Sequence, residues 1–357
     1  MTNEDIVIVA CDSVDALTES IDPTLTNNDQ WIFRLPYSFT TLGEKLLSKI
    51  PKNLLVAVDK IFMSSIAHDS HAKEYTFNEE KINQKRRVKP SVAMNAMGVS
   101  SLPMFMAACP NANDMVDVGY ACASGLRSLE LASNLAAAGE VVLVATVETP
   151  TAPYFLYYFN SLGALATGSE YHGPFDKNRN GFAMADAAAY VIICNRQVAN
   201  KNNWKIIASI SALSSTTIPS LTAPSDQKKL TEFIKKVISK SNISIDAVSH
   251  WDAHATATPV GDNVEYAIFN EVMHSETMLV SSKGAIGHSM ASSSMTELVH
   301  SIKNLSMGTV KSNSRLTTRE VDDSRIIISD STTDKKSFVK CSFGFGGRNS
   351  AAVITIE

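Results

Sequence analysis

The stretch Met115-Val-Asp-Val-Gly-Tyr-Ala-Cys-Ala-Ser-Gly-Leu-Arg-Ser-Leu-Glu-Leu131 joins a short β-favouring run to a helix-patterned one through a passage of small residues. Met115, Val116 and Val118 suit a strand, whereas Leu126, Leu129, Ala132 and Ala136 recur at helical spacing. Cys122 stands at the join. A side chain in that place faces the unpaired N–H groups and the positive dipole end of the following helix. Its thiol is therefore expected to have a lowered pKa and to supply thiolate, the form that attacks carbonyl carbon. Taken alone, a single cysteine is more often a buried structural residue, because free Cys is among the most buried residue types.

The same arrangement recurs with a different reactive side chain. Leu279-Val-Ser-Ser-Lys-Gly-Ala-Ile-Gly-His288 runs from a strand through small residues into a second helix, patterned by Met295, Leu298, Val299, Ile302 and Leu305. Two matching units, each with a central helix that starts at a reactive residue, place Cys122 beside His288 and imply a two-repeat, layered α/β fold. The halves are expected over 1–200 and 201–357, divided at a polar Asn/Lys patch at 200–203.

In the first half, strands are expected at 6–10, 31–35, 54–58, 140–147 and 185–194, and a methionine-rich buried helix over 90–107. The nearly continuous apolar run 140–147 suits a strand covered on both faces. The aromatic segment 150–168 reads as irregular. The second half opens with a strand at 205–212, a helix at 227–241 and a strand at 247–252. No Gly/Ser-rich or Pro-rich linker separates the halves, so they are expected to pack as one body.

Composition excludes several classes. The 357 residues are 45% hydrophobic and 19% charged, as in ordinary globular proteins. A net charge of -4 gives no reason to expect a nucleic acid partner. The basic cluster Lys85-Arg-Arg-Val-Lys89, in a polar loop over 68–89, reads as a solvated turn or as a docking patch for an acidic protein. The five cysteines, at 11, 109, 122, 194 and 341, have neither disulfide nor metal-site spacing. The N-terminus lacks a basic n-region and no apolar run approaches the roughly 18 residues of a membrane span. A cytoplasmic location is expected.

Four further segments carry reactive side chains. In Trp251-Asp-Ala-His-Ala-Thr-Ala-Thr-Pro-Val-Gly-Asp-Asn-Val-Glu265 a strand ends near His254, and the following loop is expected to present Thr256, Thr258, Asp262 and Glu265. Ser281-Ser-Lys-Gly-Ala-Ile-Gly-His288 is the second. Cys341-Ser-Phe-Gly-Phe-Gly-Gly-Arg-Asn349 is a glycine-dense turn between strands at 338–342 and 351–356. It is no phosphate loop, since neither Gly-Lys-Ser/Thr nor a helix accompanies it. Gly173-Pro-Phe-Asp-Lys-Asn-Arg-Asn-Gly-Phe182 is a turn-rich segment before a strand. His68, His71, His172, His250, His274 and His300 stand alone and are read as structural.

In this order the segments resemble those of the β-ketoacyl-acyl carrier protein synthases, the elongating ketosynthases of the thiolase-fold superfamily. Ala121-Cys-Ala-Ser-Gly125 is similar to the nucleophile segment, His254-Ala-Thr-Ala-Thr258 to the His-Gly-Thr-x-Thr segment and Lys283 to His288 to the Lys-x-x-x-Gly-His segment. Phe343-Gly-Phe-Gly-Gly347, the Pro174-Phe-Asp176 turn and Phe159-Asn-Ser-Leu-Gly-Ala164 complete a match over roughly residues 88 to 357. The resemblance implies a thiolase-like five-layer αβαβα fold from two duplicated halves. It also implies an acyltransferase in which Cys122 accepts an acyl chain and a malonyl-carrier substrate condenses with it after losing CO₂.

On that resemblance His254 and His288, both neutral and protonated at Nε2, donate to the oxygen where charge develops. Backbone N–H groups of Cys122 and Phe345 form the oxyanion hole, and Lys283 with Glu297 forms a supporting ion pair. Thr256 and Thr258 hold the phosphopantetheine arm and Phe345 gates the site. Apart from the resemblance, the aromatic segment 154–159 is a candidate for lining the pocket near the dimer partner. No metal and no tightly bound cofactor is implied. The substrates ride on an acyl carrier protein, and the chain forms a homodimer or a heterodimer with another ketosynthase-fold subunit of fatty-acid or polyketide synthesis.

The alternative is a chain-length factor, a non-catalytic partner of the same fold that typically lacks the nucleophile. A Cys/His hydrolase would need a base oriented by an acid, which two histidines in separate motifs do not require. Departures from the family pattern point to a divergent branch, such as a specialised-metabolite synthase. Only 121 residues precede Cys122, fewer than in most members, which is expected to alter the dimer surface and pocket floor. Several glycines are replaced: Ala255 stands in His-Ala-Thr, Ser292, Ser293 and Ser294 follow His288, and Ala185 and Ala187 stand where glycines are usual. Asp186 replaces a glutamate, and Tyr120 and Arg348 replace threonines. Glycine totals 16, about 4.5% against a typical ~7%.

Overall fold

The computed structural model describes residues 6–66, 101–220, 224 and 226–357. The expected loop 68–89 with its basic cluster, His68, His71 and most of the 90–107 helix lie outside the described residues.

Ten strands form a single sheet whose pairing repeats. The first five are β1 (Ile6–Val14), β2 (Lys60–Ser64), β3 (Met115–Asp117), β4 (Val142–Glu148) and β5 (Ala187–Asn195). They run in the order β1-β5-β4-β2-β3, the first two pairings antiparallel and the last two parallel. The second five are β6 (Ala208–Thr217), β7 (Val248–Asp252), β8 (Met278–Val280), β9 (Ser337–Gly344) and β10 (Arg348–Ile356). Their order, β6-β10-β9-β7-β8, has the same sequence of antiparallel and parallel pairings. β1 and β6 join the halves through Val7 opposite Ser209 and Ile8 opposite Ala208.

The side-chain alternation of a strand splits each half-sheet between two layers. Val142 and Val144 of β4 face a central cluster, whereas Leu143, Ala145 and Val147 face an outer one. On the other side, Phe338 of β9 faces the centre while Val339, Cys341 and Phe343 face away. The central layer holds α3 (Ser124–Ala137) and α7 (Ser293–Ser306), whose Leu126, Leu129, Met295 and Leu298 share one cluster with both half-sheets. Outside the first half lie α1 (Phe39–Ser48) and α2 (Ser101–Ala108), which carry Leu42 and Phe105 into its outer cluster. Outside the second lie α5 (Gln227–Lys240) and α6 (Pro259–Val272), with Ile234 and Phe269. This is the five-layer, duplicated αβαβα arrangement.

Two local expectations are corrected. Most of the 54–58 segment belongs to a short helix, Lys52–Ala57, which follows Pro51. Leu54 is buried while Val56 is 51% exposed, so the apolar run does not alternate as a half-buried strand would. The irregular 150–168 segment contains α4 (Pro153–Ser161), with proline in its first turn, where the missing N–H costs no helical bond.

The feature that brings the repeats together is the contact between the first turns of α3 and α7. A Cβ on Gly125 would meet Ser294 Oγ at 2.9 Å and Met295 Cβ at 3.0 Å, so only glycine allows this approach. The Leu126 N–H donates to Ser294 Oγ across the same contact, at 3.3 Å.

Candidate active site

Cys122 sits on a tight turn between β3 and α3. Ala121 before it has φ +49°, a left-handed conformation that an alanine holds only when its surroundings fix it. Ser124 supplies part of that fixing: its Oγ accepts from the Tyr120 N–H at 2.8 Å and donates to the Ala121 carbonyl at 2.6 Å. The turn joining β9 to β10 lies directly on it, since a Cβ on Gly344 would come within 2.9 Å of Ala121 Cβ. Ser342 Oγ donates to the Cys122 carbonyl at 3.1 Å. The backbone N–H groups of Cys122 and Phe345 lie close enough to Sγ to favour its charged form.

His288 Nε2 lies 3.1 Å from Cys122 Sγ. The ring meets Phe182 edge-on at 4.9 Å between centroids, and that of His254 at 5.5 Å. Burial, reinforced by the Lys283 charge, pushes the His288 pKa down to about 3, and the same two causes hold His254 well below its usual range. Both rings are neutral at physiological pH.

His254 is held through its backbone. Glu265 accepts from the N–H groups of His254 (2.9 Å) and Ala255 (2.7 Å) and from Trp251 Nε1 (2.9 Å). Glu265 and Asp262 belong to α6 rather than to a loop, which corrects the expectation. Asp262 accepts from the Phe175 N–H at 2.9 Å and pairs with Arg179 Nε at 3.0 Å, tying the 173–182 turn to α6. Glu265 therefore braces the segment that carries His254, and Asp262 anchors the neighbouring turn to the same helix. Thr256 and Thr258 bond to each other, Oγ1 to Oγ1, at 3.1 Å.

Lys283 and Glu297, each only 1% exposed, pair at 2.6 Å. Two further members of this network were not singled out in the sequence. Lys340, fully buried on β9, bonds to Glu297 Oε2 and reaches Asp252 Oδ1 at 3.1 Å. Its signal was a lysine inside the apolar run Phe338-Val-Lys-Cys-Ser-Phe343, a place that a charge occupies only with a buried partner. Burial raises the Glu297 pKa, but the Lys283 and Lys340 charges outweigh it and keep the carboxyl ionised.

The expected lowering of the Cys122 pKa is overturned. Burial of Sγ outweighs Lys283 and the two N–H groups and pushes the thiol up to about 12. Alkylation of Cys122 by iodoacetamide should therefore rise roughly tenfold per pH unit from pH 7 to 10, following the thiolate fraction. A plateau below pH 9, read from the rate of mass gain on Cys122, would restore the low-pKa reading.

A cavity of about 650 Å³ opens at Cys122, lined in part by Phe155, Phe159, Leu162, Met290, Phe345 and Arg348. From the 154–159 segment Phe155 and Phe159 line it, whereas Tyr157 and Tyr158 are 70% and 58% exposed. The Phe345 ring stands edge-on to Phe159 at 6.1 Å, at the cavity wall. Among the described residues no helix is long and apolar enough to cross a membrane.

Comparison with known proteins bears on what this geometry belongs to. Residues 65–199 match the model for the β-ketoacyl synthase N-terminal domain and residues 207–317 that for its C-terminal domain, together more than half of the chain. A mitochondrial 3-oxoacyl-[acyl-carrier-protein] synthase of Arabidopsis thaliana is 27% identical over 250 residues, covering 65% of this chain and 54% of that protein. The chain thus spans about half the length of this curated relative. In fold it is similar to the ketosynthase in a type II polyketide synthase complex with its acyl-carrier protein (TM-score 0.85, 17% identity, 98% of each chain). It is also similar to the ishigamide ketosynthase/chain length factor (TM-score 0.82, 14% identity, 99% of each chain). The chain belongs to the β-ketoacyl synthase family.

Proposed function

We propose that this chain is a catalytically competent ketosynthase that condenses an acyl chain with a malonyl unit, both delivered as thioesters by an acyl carrier protein. The observation that carries the reading is the 3.1 Å contact of Cys122 Sγ with His288 Nε2, with His254 beside it and a cavity opening at the sulfur. A chain-length factor has no use for this constellation.

The chemistry follows from the residues. Cys122 attacks the acyl thioester, and the oxygen that becomes negative accepts from the N–H groups of Cys122 and Phe345. Collapse expels the carrier thiol and leaves the acyl group on Sγ. The malonyl thioester then loses CO₂, and the electron pair of the broken C–C bond passes into an enolate. His254 donates to the enolate oxygen, and the enolate carbon attacks the Cys122 thioester. The bond from the acyl carbon to Sγ breaks to free the β-ketoacyl product, and the expelled Cys122 thiolate takes up a proton from water to return to the resting thiol. Lys283 and Glu297 support the histidines, Thr256 and Thr258 flank the phosphopantetheine path, and Phe345 gates the cavity. The protein works as a homodimer or with a second ketosynthase-fold subunit, in the cytoplasm.

The test is to incubate the protein, alone and with a ketosynthase-fold partner, with acyl-carrier protein and to look for an acyl mass on the Cys122 peptide. Folded protein that stays unacylated in both settings returns the chain to the chain-length-factor reading. His254→Ala separates the two half-reactions: malonyl decarboxylation should fall about 10²–10³-fold, while acyl loading on Cys122 survives. Equal loss of both steps would remove His254 from the decarboxylation role.

A further inference from the structure

Three consecutive serines follow the His288 loop, and they do different things. Ser292 Oγ meets Thr146 Oγ1 at 2.8 Å, and Ser294 accepts from Leu126 in the contact between the central helices. Ser293 Oγ lies 2.9 Å from Nδ1 of His288 and donates to Oε1 of Glu297. The direction of these bonds fixes where the imidazole proton is.

An ionised carboxylate can only accept, so the single hydroxyl proton of Ser293 is committed to Glu297. Lys283 and Lys340, both ion-paired with Glu297, hold it in that acceptor form. Ser293 Oγ then has only lone pairs to offer to Nδ1, and Nδ1 must be the nitrogen that carries the proton. In a neutral imidazole this leaves Nε2 bare. The atom 3.1 Å from that bare nitrogen is Cys122 Sγ, whose S–H is the proton available to it.

We propose that Ser293 is a positioning residue that holds His288 as the Nδ1–H tautomer, so that Nε2 accepts the Cys122 thiol proton. This rests on the ketosynthase reading for its role in the reaction. As the Sγ–carbon bond forms, the proton passes from Sγ to Nε2. As the bond from the acyl carbon to the carrier sulfur breaks, the same proton passes from Nε2 to the departing sulfur, and the ring returns to its resting form. The resemblance implied Nε2–H for both histidines. Here that donating role falls to His254, and His288 handles the proton of the thiol.

Two spectroscopic readouts test the assignment without any carrier substrate. In protein carrying ¹⁵N,¹³C-labelled histidine, with His288 assigned by difference from His288→Gln, the ring resonances should place the proton on Nδ1 in the wild type. The infrared S–H band of Cys122, isolated by difference from Cys122→Ala, should be shifted to the lower frequency of a donating thiol. Ser293→Ala should lose the Nδ1–H signature and return the S–H band to its free position. Ser293→Thr, which keeps the hydroxyl, should retain both. Acyl loading of Ser293→Ala should slow roughly tenfold or more, as expected when a general base is misoriented, and Ser293→Thr should restore it.

An Nε2–H resonance in the wild type overturns the proposal, and that measurement stands even where a variant fails to fold. So does a Ser293→Ala protein with unchanged ring resonances and S–H band. A wild type with the Nδ1–H signature and a donating thiol, but no acyl loading, overturns the ketosynthase reading and leaves the Ser293 assignment in place.

Discussion

Cys122→Ala should show no acyl mass after incubation with acyl-carrier protein, and condensation should fall by at least ~10³-fold. The size follows from what the substitution removes. Sγ is the atom that both the His288 ring and the N–H groups of Cys122 and Phe345 address, and no other described cysteine shares those contacts. Cys11, Cys109, Cys194 and Cys341 have thiols that burial raises, and the cavity is not lined by any of them. The change itself should be well tolerated, because an alanine fills most of a 1% exposed site in an apolar setting. Loss of loading therefore reports chemistry rather than unfolding. Acyl mass persisting in Cys122→Ala, mapped to a different residue, would defeat the nucleophile assignment.

Lys340→Met should destabilise the fold by about 3–5 kcal/mol, the typical cost of removing one partner from a buried ion pair. Lys340 lies between Asp252 and Glu297 with no contact to solvent. Methionine matches its length but leaves two buried carboxylates to share Lys283, whose Nζ contacts Glu297. Urea unfolding read by circular dichroism should show a lower midpoint at an unchanged slope.

The pH dependence of this deficit has a definite sign. In the wild type the Glu297 pKa is depressed, so its contribution is present above the ordinary carboxylate range and is lost as pH falls through the depressed value. In Lys340→Met the buried carboxyls are relieved by protonation, so the deficit should shrink as pH falls below about 5. Adding Asp252→Asn, which removes one unpaired charge, should recover part of the loss. A deficit below about 1 kcal/mol at neutral pH would mean that the network is solvated and weak.

Much of the architecture was legible because it is local and repeated. The helical spacing of Leu126 and Leu129, and of Met295 and Leu298, marked the two central helices, and the apolar run ending at Val147 marked a strand covered on both faces. The readings that failed were short segments in which tertiary burial overrode a weak pattern. Leu54 and Val56 look like a strand but turn into a helix behind Pro51, and the aromatic residues after Pro153 form α4. Lys340 and Asp252 were invisible as a pair because their partners lie in different elements: 88 residues separate the two, and 43 separate Lys340 from Glu297.

Residues near one another along the chain were enough to mark the duplicated α/β halves and the three residues, Cys122, His254 and His288, that meet between them. These follow from periodicity and from short ordered motifs, which are properties of neighbouring residues. The ionic state of that meeting point depends on what tertiary packing places around it. The placement of Cys122 ahead of a helix predicts an acidic thiol, but desolvation by both halves raises its pKa to about 12. The family resemblance implies two donors, whereas the Ser293 bond to Glu297 is the observation behind the proposed Nδ1–H form of His288. Desolvation and hydrogen-bond direction depend on everything packed around a group, and a run of neighbouring residues carries no record of that.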